Sequence, residues 1–222
     1  MKKISILLFL LFTIYACAPK QDDSNDNTQP VVEAEVTTYP SGLKNSLVQK
    51  KATIDSIFQL ELQDTILTLS RKQFQVWVKL PSRGFVQVFN NWPEEIESTF
   101  NLLFDNQGRL VRVSEMPFSE SGDWDMMFSH YFTAEGKTFA FEKEVSAFNT
   151  SCPNDEYLEG VTREKIIQIY SPSFTMIDST YKMTDEAGKD ITKRKCQLEV
   201  ESDVKVFKDL PTYLTGNKLN FN

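Results

Sequence analysis

The chain has 222 residues, 41% of them apolar and 17 of them phenylalanine, which is enough to bury a core and too much for a disordered polymer. Its 24 basic and 31 acidic residues leave a formal net charge of −7. That balance argues against nucleic acid, whose phosphates such a surface repels, and against a basic patch docked on anionic lipid.

Lys2 and Lys3 open the chain with positive charge, and residues 4–15 follow as an apolar run. The run is short for a membrane span and has the length of the apolar core of an export signal. No later stretch reaches the ~18 consecutive apolar residues that would read as a spanning helix. The run closes on Ile14, Tyr15, Ala16 and Cys17, a small residue followed at once by a cysteine. This pattern resembles the lipobox of bacterial lipoproteins. The resemblance implies cleavage before Cys17, a diacylglycerol on its thiol and, usually, a further acyl chain on the freed amine. It implies a protein of the cell envelope, lipid-anchored to the outer membrane, on its periplasmic or cell-surface side. Several acyl chains at roughly 0.8 kcal/mol per buried CH₂ make release slow. Loss of residues 1–16 removes Lys2 and Lys3 and takes the formal charge from −7 to −9.

Residues 17–36 offer almost nothing to bury and are predicted to be the lipidated cysteine and a disordered tether. Twenty such residues reach about 25 Å as a flexible coil. Lys20, Asp22 and Asp23 look like the acidic signals that send some outer-membrane lipoproteins to the cell surface; they read equally as a solvated linker. Residues 37–222 are read as a single globular, β-rich domain.

A helix is predicted to open that domain. Leu43, Leu47, Ile54 and Phe58 recur at helical spacings with Lys50, Lys51 and Asp55 interleaved, Ser41 as its cap and an end near Leu60. The period then changes to two. Phe74, Val76, Val78 and Leu80 share one face of a strand, and Gln73, Gln75, Trp77 and Lys79 share the other. A turn at Pro81 and Gly84 leads into a strand over 85–89. Hairpins are predicted around Gly108, joining 99–104 to 109–115, and around Gly136, joining 124–132 to 137–147. Strands over 164–170 and 174–184 follow, with another turn at Gly188. The last segment, 203–222, alternates at Val204 and Val206 before Leu210 and Pro211, which predicts an edge strand and a loose tail.

Strands at this spacing, joined by short turns, predict a mainly β (α+β) fold: an antiparallel β-meander forming a curved sheet, with one N-terminal amphipathic helix packed across it. The recurrent aromatic strands and acidic-x-x-Gly-basic turns resemble those of many cell-envelope lipoproteins of uncharacterised role, and are similar to MORN-type strand repeats. That likeness implies no activity.

Export would place Cys152 and Cys196 in an oxidising compartment, where they are predicted to pair. Closing a loop of that size is worth about 4 kcal/mol in the chain-entropy picture. There is no CxxC, and the single histidine, His130, does not complete a metal-ligand set, so neither metal nor cofactor is expected. His130 alternates with Phe128 and Phe132 and reads as a packed histidine rather than a base.

Two kinds of residue could carry function. Asp123 and Asp125 flank Trp124, and Glu94, Glu95 and Glu97 precede a strand; a glycosidase needs two carboxyls across its scissile bond and aromatics to stack the sugar. Trp77, Trp92, Trp124 and Tyr131 sit on polar strand faces or beside turns, and exposed rings on a rigid sheet make a binding surface. No catalytic motif is present, so the preferred expectation is a non-enzymatic module that binds a protein or polysaccharide partner, with no role for nucleic acid. The alternatives are an envelope hydrolase using an Asp/Glu pair, and an accessory of membrane assembly with a sheet edge open to strand addition.

Overall fold

A computed structural model describes residues 40, 42–65, 73–81, 84–153 and 156–219. The export signal, Cys17, the tether and the Ser41 cap lie outside the described residues.

The chain opens with α1 (Leu43–Thr65), then β1 (Phe74–Leu80), β2 (Gly84–Val88), β3 (Ser98–Phe104), β4 (Leu110–Pro117), β5 (Trp124–Phe132) and β6 (Thr138–Ala147). The short strands β7 (Thr150–Cys152) and β8 (Glu156–Leu158) precede β9 (Thr162–Tyr170) and β10 (Met176–Thr184). After a 3₁₀ turn at Thr192–Arg194 come β11 (Gln197–Leu198) and α2 (Leu210–Gly216). Eight strands form one antiparallel sheet in the order β10-β9-β6-β5-β4-β3-β1-β2. The meander departs from chain order twice. β1 lies between β3 and β2, and β9 pairs directly with β6 because β7 and β8 leave to form a second sheet with β11. The predicted hairpin glycines, Gly108 and Gly136, take φ of 75° and 74°, the left-handed conformation their turns require.

α1 crosses the strands. Lys44 pairs with Asp178 of β10, Lys51 with Glu142 of β6, Asp55 with Arg112 of β4, and the Phe58 ring meets Phe74 of β1 edge-on at 5.5 Å. Ile54 and Phe58 seal a core with Phe74, Val76, Val78, Leu103, Tyr131 and Ile169, as the period-two reading of β1 required. The helix continues past Leu60 to Thr65 because Leu62 extends the same stripe onto this core. Lys51 occupies a position within the stripe and is buried, where its charge had suggested solvent.

The opposite face is covered too, which corrects the expectation for the last segment. Residues 199–209 form no edge strand. They cross that face with Val200, Val204 and Val206 packed on Met126, Phe128, Phe141 and Val145. The chain then turns into α2, capped reciprocally by Asp209 and Thr212 with Pro211 in its first turn, a position where the missing N–H costs nothing. Tyr213 and Leu219 close a core with Trp77, Phe100, Leu102, Val113 and Phe132. Alternating valines thus serve packing here without a ladder. The disulfide Cys152–Cys196 joins β7 to the segment before β11, beside Met183 and Ile191.

Candidate functional site: a groove at one end of the helix face

The turns after β3, β5 and β9 gather at one end of the sheet, and those after β4, β6 and β10 at the other. α1 lies over the first, or near, end. There its inner face closes a polar seam. Arg112 donates from Nη1 to Asp55 at 3.1 Å, from Nε to Ser114 at 3.0 Å and from Nη2 to Ser129 at 3.2 Å. Tyr131 donates its hydroxyl to the same Asp55 oxygen at 2.7 Å. The guanidinium also stacks 3.7 Å from the centre of the Phe58 ring. Lys51 bridges Asp55 at 2.8 Å and Glu142, and Lys165 reaches Glu142 at 3.1 Å and Glu144. Burial raises the Tyr131 hydroxyl well above its ordinary value, with Asp55 and Glu142 adding to it and Arg112 opposing. Burial also works to raise Glu142, but Lys51 and Lys165 outweigh it and hold the carboxyl low. Every charge in this seam has a partner, so the seam fixes α1 on the sheet rather than offering a vacancy.

The far end of the same face is open. Two cross-strand rows run over it from β5 to β10. One row is Asp125, Ser146, Arg163 and Thr184; the next is Met127, Glu144, Lys165 and Lys182. Two adjoining recesses follow these rows and share Ser146. The first, about 150 Å³, is lined by Trp124 and Phe148 together with Asp123, Asp125 and Ser146. The second, about 220 Å³, is lined by Ser146, Arg163, Lys165, Lys182 and Thr184 together with Val145, Glu144 and Glu164. Aromatics stand around this end. Phe118 is 59% exposed after β4, Phe148 46% exposed after β6 and Tyr157 64% exposed on β8, while Trp92, 52% exposed, lies in the β2–β3 connection at the other edge of the sheet. A wider hollow of about 600 Å³ lies between β9–β10 and residues 192–203, but its lining mixes Glu164 and Asp203 with Lys195 and presents no cluster of one chemistry.

The four aromatics singled out in the sequence are therefore divided. Trp124 borders the first recess but alternates with Met126 and Phe128 and packs with them on the arm face, and Trp92 is exposed in the β2–β3 connection. Trp77 and Tyr131 are removed from any binding surface, being 8% and 0% exposed on opposite faces of the sheet. Trp77 was read as exposed because Gln75 and Lys79 flank it, but that face lies under the C-terminal arm, where Trp77 joins Phe100 and its indole donates to Gln75 at 3.0 Å. Phe118 and Phe148 were missed. Their signal was available: each is an aromatic directly after a strand, leading into a polar turn.

His130 sits among the rings of Phe132, Phe141, Phe207 and Tyr213 and accepts the Phe207 N–H on Nε2 at 3.2 Å. Burial lowers its pKa to about 3. It holds the C-terminal arm. Burial also raises the Glu115 carboxyl, against the pull of Lys79, but Glu115 is cross-strand from Phe100 and Phe128, on the arm face and away from Asp123 and Asp125. Among the described residues no cluster of three or more His, Cys, Asp and Glu could hold a metal ion. No described helix is long and apolar enough to cross a membrane. A comparison of the chain with protein families, curated proteins and solved structures returns no match.

Proposed function

We propose that this chain is a lipid-anchored binding module of the cell envelope, held on the outer membrane by acyl chains on Cys17, and that its far-end groove takes a polysaccharide. The observation that carries the reading is the recess lined by the exposed Phe148 and by Asp123, Asp125 and Trp124, the last partly buried against the arm. Ring faces accept the C–H face of a sugar, and carboxylates accept hydrogen bonds from its hydroxyls. A rigid sheet end presents both with little ordering on binding. The hydrolase reading has less support. The carboxyl that burial raises, Glu115, does not line the recess that holds Asp123 and Asp125. A protein partner is the other occupant such rings would suit.

The test is retention of the full chain, purified in non-ionic detergent, on immobilised envelope polysaccharide. Trp124→Ala and Phe148→Ala are each expected to weaken retention at least ten-fold. Retention unchanged in both variants, or capture of a protein alone from solubilised envelopes, would refute a glycan site. Intact mass tests the anchor: acyl chains are expected on Cys17, and Cys17→Ser is expected to leave the membrane fraction.

A further inference from the structure

We infer that the second recess, between β6, β9 and β10, binds an oxyanion, a carboxylate or phosphate substituent carried by the saccharide. The inference rests on the glycan reading above and adds the charge of the ligand.

The argument begins with an imbalance. The chain is acidic overall, yet Arg163, Lys165 and Lys182 converge on one recess. Lys165 and Lys182 are direct cross-strand partners, an arrangement of like charges that is unfavourable unless something neutralises it. Lys165 is neutralised from within the protein by Glu142 and Glu144. Arg163 and Lys182 are both exposed, and among the described residues neither has a carboxylate within salt-bridge distance. The acids around the recess are engaged: Glu144 with Lys165, Glu164, which also lines the recess, with Lys143 at 2.9 Å, and Asp190 with the backbone N–H of Thr192 at 2.9 Å, its carboxylate also feeling the charge of Lys182.

The neighbours of Arg163 fit an oxyanion. Its cross-strand partners are Ser146 on β6 and Thr184 on β10. An arginine thus lies in the row between two hydroxyl-bearing residues, whose backbones are each one strand spacing away, about 4.8 Å. Arginine meets carboxylate and phosphate oxygens in pairs, and hydroxyls donate to the oxygens left over. Lys182 adds a point charge from the next row. A volume of about 220 Å³ is small for a whole drug-sized ligand and suits one residue of a chain, with its neighbour lying in the Trp124 recess across Ser146. The acidity of the surrounding surface disfavours a densely charged polyanion, so the ligand is a saccharide with sparse acidic groups.

Amide-detected NMR titration of the full chain in non-ionic detergent tests this, with glucuronate, glucose 1-phosphate and neutral methyl glucuronate as probes. Both acids are expected to shift the amides of Ser146, Arg163 and Thr184, with methyl glucuronate at least ten-fold weaker. Arg163→Ala and Lys182→Ala are expected to weaken the response to the acids at least ten-fold while the rest of the spectrum stays in place. Equal response to the neutral ester, no response to either acid, or an undiminished response in both variants would overturn the inference. So would shifts at these amides with phosphatidylglycerol vesicles and none with the sugars, which would assign the cations to a lipid surface. A neutral sugar that still shifts the Trp124 recess in any of these cases would leave the glycan reading standing and fail the oxyanion site alone.

Discussion

The two ends of one sheet face use the same residue types to opposite ends. At the near end Arg112, Lys51, Asp55 and Glu142 lie under α1, and each charge meets another inside the protein. At the far end Arg163 and Lys182 face solvent, and among the described residues neither has a carboxylate within salt-bridge distance. A charge whose hydrogen bonds are complete contributes position; a charge left open on a rigid strand is available to a ligand. The difference does not lie in composition. It lies in where α1 stops covering the strands.

The comparison breaks hardest at Arg112. Its side chain is 2% exposed and serves Asp55, Ser114 and Ser129 together. Arg112→Met should cost about 3 kcal/mol, the lower end for breaking a buried pair, since Asp55 is 32% exposed and can partly rehydrate. Urea denaturation measures it. Adding Asp55→Leu should recover part of the loss, because replacing both partners with apolar groups avoids a stranded charge. A loss below about 0.5 kcal/mol for Arg112→Met, the range of an ordinary surface change, would mean that the seam is not what holds α1.

The strands and hairpins were legible because their signals are local. Period-two alternation in 74–80 and the glycines at 108 and 136 each act within a few residues, and the backbone obeys them. Lys51 was not legible as buried, since its position fits the helix stripe but its charge suggests solvent; only Glu142, 91 residues away, explains it. Trp77 and the C-terminal arm failed together. With residues 203–222 read as an edge strand and a loose tail, nothing remained to cover the second face or Trp77 on it. The groove was half legible. Asp123, Trp124 and Asp125 are neighbours in sequence, but Ser146, Arg163 and Thr184 meet only through the register of β6, β9 and β10, which no local pattern encodes.

A second test separates the two faces by pH. The folded pKa of His130, about 3, lies below its ordinary value of 6.5, so the unfolded chain takes up the proton first. Stability from this group is complete above pH 6.5 and falls as the pH drops toward 3. Between pH 6.5 and 5 the loss from this group should be about 2 kcal/mol, at roughly 1.4 kcal/mol per pH unit. Glu142, held low by Lys51 and Lys165, adds its own loss only at lower pH, as the pH falls through its folded value. His130→Gln, which can still accept the Phe207 N–H, should flatten the upper window. Urea midpoints at pH 7 and 5 for the two proteins decide it. An equal slope in both would place the acid sensitivity outside the arm.

The smallest expected effect carries the most information about the groove. If Arg163 and Lys182 serve a ligand and not the fold, removing either should change stability by no more than about 0.5 kcal/mol. Lys182→Ala should even stabilise slightly, by about 0.2 kcal/mol, because it relieves the direct opposition to Lys165. That gain should shrink in high salt, as expected for exposed charges. Arg163→Ala removes no ion pair among the described residues and should leave the urea midpoint where it was. A loss above about 1 kcal/mol in either variant would show that the protein itself satisfies these cations, and the far end would then differ from the near end only in how much water it admits.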